Sequence, residues 1–558
     1  MPAVPPVPLE ASRAPLAEAV ALHQAGRLDA AAALYESVLR EQPEQPDALH
    51  LLGLVAHQRG DAAAALDLIR RALQQRASFP VAHNNLANIL RGLGRRAEAA
   101  SHYQQALALR PELVAAAIGL AGLSADAGDL DDAARRLESV VARHPTLAQG
   151  WCELGGVRRR QRRFTDAIAA LERAVTLDPA LFAAHNELGI ALHATGRWDA
   201  AAARYRTALA CKGEPAIALR NLGHALKRLG RTDEAVECYR RAAAHRQPDQ
   251  ARDDATTALA TYATTSRVKL AHDIEQLDYL AARGWRPEEA AALAERYRAV
   301  LDRIASRAAA PSETVPLSAD ERGLLGPHYN RLRHVADAPA LAAGPFGAWQ
   351  AAAIEEAYLA ARPAFAVIDD FLSADALAAL RRYCLESTLW FDFSHRGGYL
   401  AAFLDDHLDC PLLLQIADGL RRALPRLLGP HSLRHLWAYK YDSTLEGVGL
   451  HGDDAAVNVN FWITPDDANV APDSGGMIVH PALAPADWRF EDFNADTARI
   501  EAFLAEAGGA PIRIGYRANR AVLFDSSLFH ETDRFRFQPG YATRRINLTM
   551  LFGDRGGG

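Results

Sequence analysis

One spacing governs the first half of this 558-residue chain. Leu52-Gly53, Leu86-Ala87, Leu120-Ala121, Leu154-Gly155, Leu188-Gly189 and Leu222-Gly223 recur every 34 residues. Gly26, Gly60, Gly94, Gly128, Gly196 and Gly230 keep the same period, with Arg162 standing in the one gap. Ala31, Ala65, Ala99, Ala133, Ala167, Ala201 and Ala235 keep it without exception, and Tyr35, Tyr103, Tyr205 and Tyr239 follow four residues later. Pro43, Pro111, Pro145 and Pro179 mark repeat ends. Each series has a physical reason. A small residue in one helix and an Ala in the next let the two approach closely. The Gly supplies the turn between them. The large residue one turn after the Ala fills the interface, and Pro opens a new helix.

The pattern resembles the tetratricopeptide repeat, whose period is 34 residues, and seven copies cover residues 10–248. The resemblance implies an α-superhelix whose concave face, lined by the first helix of each pair, binds an extended peptide or protein segment. Asn85 and Asn221 fall at equivalent first-helix positions. They are candidates for hydrogen bonding to a ligand backbone; solvated surface positions are the competing reading.

A chain of this length exceeds one hydrophobic core, so two to four domains are expected. Net charge is −6, which provides no basic field for nucleic acid or an anionic membrane. Cys152, Cys211, Cys238, Cys384 and Cys410 are scattered without a CxxC pair, as for reduced thiols in a cytoplasmic protein. The opening MPAVPPVPLE lacks the basic and apolar regions of a secretory signal. No apolar run approaches a membrane span.

Helical patterning continues without the period through about 308, with Val268, Leu270, Ile274, Leu277 and Leu280 on one stripe. Arg286-Pro287-Glu288-Glu289 reads as a helix start. Residues 249–362 are expected to form a helical connector followed by a Pro- and Gly-rich linker over 309–362.

From 363 to 554 the pattern changes. Ala364–Ile368 reads as a short buried strand, and Ser373 as the N-cap of a helix. The segments LWAYKY, VNVNFWI, GGMIVH, RAVLF and RRINLTMLF read as short strands separated by turns. This spacing suggests a double-sheet, cupin-like jelly roll. The expected class is therefore multidomain, α followed by β.

Within that region stand His451-Gly452-Asp453 and, much later, His530. Residues i and i+2 of a strand share a face, so His451 and Asp453 can grip one metal ion. Two histidines and one carboxylate with open positions suit non-haem Fe(II) oxygenases, although catalytic Zn also keeps an open position. Asp454 and Glu531 are the substitutes if one ligand is misassigned. A second His-x-Asp, His407-Leu408-Asp409, lacks strand context and a downstream partner, and reads as a decoy.

Gln538-Pro539-Gly540-Tyr541-Ala542-Thr543-Arg544, Ser474-Gly475-Gly476, VIDDFLS and Tyr441 together resemble prolyl hydroxylases of the hypoxia-sensing type. The resemblance implies a 2-oxoglutarate- and Fe(II)-dependent dioxygenase, with ascorbate as a candidate reductant. It implies His451, Asp453 and His530 as catalytic metal ligands. It assigns Arg544 to the far carboxylate of 2-oxoglutarate and Tyr441 to a hydrogen bond with it. Arg545 competes with Arg544, since alternation admits only one to the interior. Arg544 is preferred because it shares a face with Ile546, Leu548, Met550 and Phe552, an apolar row. Asn458, Asn460 and Trp462 share one face of their strand and are expected to look into the pocket, touching co-substrate or substrate. This amide-rich wall departs from the family and leaves the target residue open. The substrate expected is a protein or peptide recruited by the repeats. The alternatives are a small molecule, with the repeats as tether, or a non-catalytic scaffold.

Overall fold

A computed structural model describes residues 14–213, 215–244, 263–393, 398–442 and 447–555. The ends of the expected repeat region, 10–13 and 245–248, lie outside the described residues. The chain divides into two compact units, Met1–Lys212 and Gly213–Gly558.

The first unit consists of helix-turn-helix pairs: α1 (Ala14–Gln24) with α2 (Leu28–Glu41), α3 (Pro46–Gln58) with α4 (Ala62–Gln75), α5 (Pro80–Gly92) with α6 (Arg96–Leu109), α7 (Val114–Asp126) with α8 (Leu130–Arg143), α9 (Ala148–Arg160) with α10 (Phe164–Leu177), and α11 (Phe182–Ala194) with α12 (Trp198–Lys212). The periodic alanines are fully buried, Ala31 through Ala201. The small first-helix residue is obligatory where it faces an aromatic: a Cβ on Gly189 would lie 2.5 Å from the Tyr205 ring. The turn glycines have φ between +74° and +86°, a region that costs an L-residue about 1–2 kcal/mol. Arg162, in the gap of the series, adopts φ +61° nonetheless. The turn geometry is thus set by the packing of the helix pair and imposed on whatever residue stands there.

The second unit opens with the seventh pair, α13 (Ala216–Arg228) and α14 (Thr232–Ala244). These helices are tied to the β-rich region. Arg434 Nη1 donates to the Arg228 carbonyl at 2.9 Å, Arg240 Nε to Asp409 at 2.6 Å, and Arg228 pairs with Asp554 at 2.6 Å. Next come α15 (Arg267–Ala282) and α16 (Pro287–Ile304). The expected stripe Val268, Leu270, Ile274, Leu277 and Leu280 is buried. Segment 309–362 is more ordered than a linker. It contributes β2 (Val315–Pro316), paired with β1 (Thr264–Thr265), and helices Ala319–Leu325 and Ala351–Ala360. Ser318 and Glu321 form a capping box that starts the first of these.

Two antiparallel sheets follow. The larger has the order β3 (Phe365–Ile368), β9 (Ala521–Asp525), β6 (Val457–Trp462), β11 (Ile546–Phe552), β5 (Leu433–Tyr441), β4 (Tyr399–Phe403). The smaller has the order β10 (Leu528–Thr532), β7 (Met477–Leu483), β8 (Ile512–Ile514). One face of the large sheet packs Trp462, Val522 and Phe524 against Met477, Val479 and Leu528 of the small one. The opposite face, with Leu436, Ala438, Leu523, Ile546, Leu548 and Met550, is buried as well. Both faces being covered, β11 is buried at every position. Apolarity therefore cannot tell its two sides apart.

Candidate metal centre

Three side chains converge where the two sheets meet. His451 and His530 form an isolated antiparallel bridge: His451 N–H donates to the His530 carbonyl at 3.0 Å, and His530 N–H to the His451 carbonyl at 2.8 Å. Asp453 lies two residues on, its N–H donating to the Ser526 carbonyl at 3.0 Å. His451 Nδ1 is 2.8 Å from the Gly449 carbonyl and His530 Nδ1 is 3.0 Å from that of Leu528. Each Nδ1–H is thus committed to backbone, which leaves both Nε2 lone pairs facing the carboxylate. His451 Nε2 lies 3.7 Å from Asp453 Oδ1, and His530 Nε2 3.4 Å from Oδ2. All the ligand atoms fall within 4.8 Å of one another, and no other such trio occurs among the described residues.

The surroundings hold these groups in ligating form. Burial, then repulsion from His530, keeps His451 below its ordinary pKa, so its ring is neutral near pH 7. Burial alone would raise the Asp453 carboxyl. The neighbouring His530, then His451 and the Asn458 amide, outweigh it and hold the pKa below the usual value. Asn458 Nδ2 donates to Asp453 Oδ2 at 2.6 Å. Neither expected substitute joins the trio: Asp454 is exposed, and Glu531 lines the adjoining pocket and faces His480 at 3.5 Å. The decoy also stands aside. His407 occupies a left-handed turn position at φ +74°, and Asp409 is engaged by Arg240.

A pocket opens beside the trio, walled by Trp437, Tyr439, Tyr441, Asn460, Arg545 and Thr549. Tyr441 lines it as expected, as do Asn458 and Asn460. Trp462 lies on the same strand face but one pleat further on. There it packs in the inter-sheet core, 5.5 Å from the Tyr516 ring, so it supports the wall without lining it.

The preference for Arg544 is overturned. Arg544 turns away from the pocket and is bound by Glu275 at 2.9 and 3.1 Å and by Asp442 at 3.2 Å. Arg545 lines the pocket. Its guanidinium lies 4.7 Å from the Tyr441 ring centroid and donates to the carbonyls of Gly475 at 2.8 Å and Gly476 at 3.2 Å. The physical reason is the doubly buried sheet. The row Ile546, Leu548, Met550 belongs to the face away from the pocket, while Asn547 and Thr549 lie opposite Tyr439 and Trp437 on the pocket face. The polar row was the signal for the pocket side. Tyr541–Thr543, expected to lead into the strand, forms a 3₁₀ turn that sets the alternation two residues before Arg545.

Tetratricopeptide repeat profiles match residues 16–80, 90–151, 125–181, 152–216 and 216–249. The N-terminal segment is a tetratricopeptide repeat array. Among solved structures, MamA is 27% identical over 28% of this chain and 92% of its own, with a TM-score of 0.25. A tetratricopeptide repeat protein from Parabacteroides merdae is 13% identical over 44% of this chain and 97% of its own, with a TM-score of 0.36. Pseudomonas aeruginosa PilF is 22% identical over 36% and 90%, with a TM-score of 0.32. No curated protein matches the chain. No helix among the described residues is long and apolar enough to cross a membrane.

Proposed function

We propose that this chain is a 2-oxoglutarate- and Fe(II)-dependent dioxygenase acting on a protein segment recruited by its repeats. The observation that carries the reading is the trio His451, Asp453 and His530, with both Nδ1 atoms spent on carbonyls and both Nε2 atoms turned to one carboxylate. Two nitrogen donors and one oxygen donor are the set that suits Fe(II) while leaving positions open. Two antiparallel sheets with the trio at their meeting point support a double-stranded β-helix over 363–554. Arg545 and Tyr441, on one pocket wall, fit a distal carboxylate by charge, planar fork and phenol. Bound iron and 2-oxoglutarate would activate O2, the oxidant, for attack on an unactivated C–H bond, with 2-oxoglutarate itself oxidised to succinate and CO2.

The rest falls to the chain's own residues. His451, Asp453 and His530 would hold the metal from one side, and Asn458 fixes the carboxylate that does so. Arg545 and Tyr441 would orient the co-substrate, while Trp437, Tyr439 and Met477 on the remaining wall limit water. Tetratricopeptide repeats generally bind proteins or peptides, and this supports a polypeptide substrate. The test is succinate formation from 2-oxoglutarate by the purified chain with Fe(II) and O2. Loss of turnover is expected in His451→Ala and Asp453→Ala. Unchanged succinate formation by a folded His451→Ala protein would rule the reading out.

A further inference from the structure

Between β7 and β8 the chain leaves the small sheet for residues 484–511 and folds two helices, Phe490–Asn494 and Thr497–Ala507. Asp496 caps the second, its carboxylate accepting from the Arg499 N–H at 3.1 Å. The apolar side of this insert is built on residues next to the two histidines of the trio. Phe493, Ile500 and Phe529 are buried in one cluster, with Leu450 and Phe503 packed against it. In β10, alternation turns Phe529 to the insert and His530 to Asp453. The most telling contacts are to Gly452, the residue that joins His451 to Asp453. Gly452 is buried, and both of its backbone groups are held from the insert. Its N–H donates to the Phe493 carbonyl at 2.7 Å, and its carbonyl accepts from Asn494 Nδ2 at 2.9 Å. A buried backbone group that loses its partner costs free energy. A Cβ on Gly452 would make only ordinary contact, 3.5 Å from Phe493, so the insert grips the peptide itself. The insert is anchored in turn: Arg555 donates to the carbonyls of Ala484 at 2.6 Å and Pro485 at 2.7 Å, and its guanidinium lies 4.1 Å from the Phe493 ring centroid.

We propose that this insert clamps the ligand loop and that Asn494 is a positioning residue for the metal centre, an inference that rests on the metal reading given above. The loop is fixed at three points: the bridge from His451 to His530, the Ser526 carbonyl at the Asp453 N–H, and the insert at Gly452. The first two belong to the sheet framework; the third does not. Asn494 acts through the peptide that sets the spacing of His451 and Asp453. A metal held by both ligands and an insert that holds the peptide between them are linked, so each stabilises the other.

The test is anaerobic titration of the full-length chain with Co(II), followed by the visible absorption of the bound ion. Asn494→Ala is expected to weaken Co(II) binding by about 10- to 100-fold. Asn494→Gln, which keeps the amide on a longer stem, is expected to recover part of that loss. Lowered global stability leaves the affinity of a fully folded chain unmoved, so the loss reports ligand placement. In the unmodified chain, Co(II) at about 100 times its Kd is expected to slow amide exchange at Gly452 and across the helix Thr497–Ala507 alike, by up to about 100-fold. The clamp is overturned if a folded Asn494→Ala protein binds Co(II) like the parent. It is equally overturned if Co(II) slows exchange at Gly452 and leaves Thr497–Ala507 unchanged, a comparison that needs no variant and decides even where Asn494→Ala does not fold. Either result leaves the metal reading standing, whereas absence of Co(II) binding by the unmodified chain overturns the metal reading and the clamp together.

Discussion

Adjacent arginines with opposite surroundings give the sharpest test of the proposed site. Arg545 is 3% exposed and lines the pocket beside the trio, while Arg544, 5% exposed, is committed to Glu275 and Asp442. Replacing Arg545 with Ala removes the only cation among the pocket-lining Tyr441, Asn458, Asn460, Asn547 and Thr549. A bidentate contact to a carboxylate comprises two charge-assisted hydrogen bonds of about 1.5–3 kcal/mol each. Allowing for non-additivity, loss of both weakens 2-oxoglutarate binding by about 3–4 kcal/mol, or about 100- to 1000-fold in Kd. Arg545→Lys keeps charge without the fork, and an intermediate loss is expected. Arg544→Ala instead removes the Arg544 ion pairs of Glu275, whose side chain is 37% exposed, and Asp442, 18% exposed. That costs stability, about 1–3 kcal/mol, and leaves Kd nearly unchanged. The assay is anaerobic titration of the Fe(II)-loaded chain with 2-oxoglutarate, with urea unfolding run in parallel. Equal weakening by both Ala variants, or unchanged affinity in a folded Arg545→Ala protein, would refute the assignment.

Arg162→Gly is expected to raise stability by about 1 kcal/mol in urea melts, because it releases a left-handed L-residue that is exposed. Gly189→Val is expected to destabilise by about 1–3 kcal/mol through overpacking against Tyr205; native-like melting would count against the tight helix contact. Burial holds His50 down to about 4, so the unfolded chain takes up its proton from about pH 6.5 downward and the folded chain only near 4. Stability contributed at this site is therefore lost as pH falls from 6.5 to 4, by up to about 3 kcal/mol. His50→Leu should flatten that part of the urea-melt pH profile, and an unchanged slope would contradict the burial argument.

The repeats are legible because each periodic residue answers a local steric demand: Ala99 must be small, Gly128 must turn, Tyr103 must fill. The trio is legible because i and i+2 alternation places His451 beside Asp453. The bridge that carries His530 to them is a long-range pairing that no local pattern encodes. Arg544 and Arg545 mark where reading by apolarity fails. Choosing the apolar row as interior assumes one buried face, and β11 has two. The pocket side is the one that keeps Asn547 and Thr549 for polar contacts. Segment 309–362 resembles a linker in sequence because its prolines mask short elements whose order comes from tertiary contacts, such as Arg307 bonding the Glu321 carboxylate at 2.6 Å.

The ties that bind α13 and α14 to Arg434, Asp409 and Asp554 change where this protein is safely cut. A boundary drawn from the repeat period falls after residue 248. It would strip Arg434 of the carbonyls at the end of α13 and strand Asp409 without Arg240. The two compact units divide at Lys212 and Gly213, inside the periodic array. For subcloning, the seventh repeat belongs to the β-rich fragment, as a clasp that shares a period with its neighbours and a core with something else.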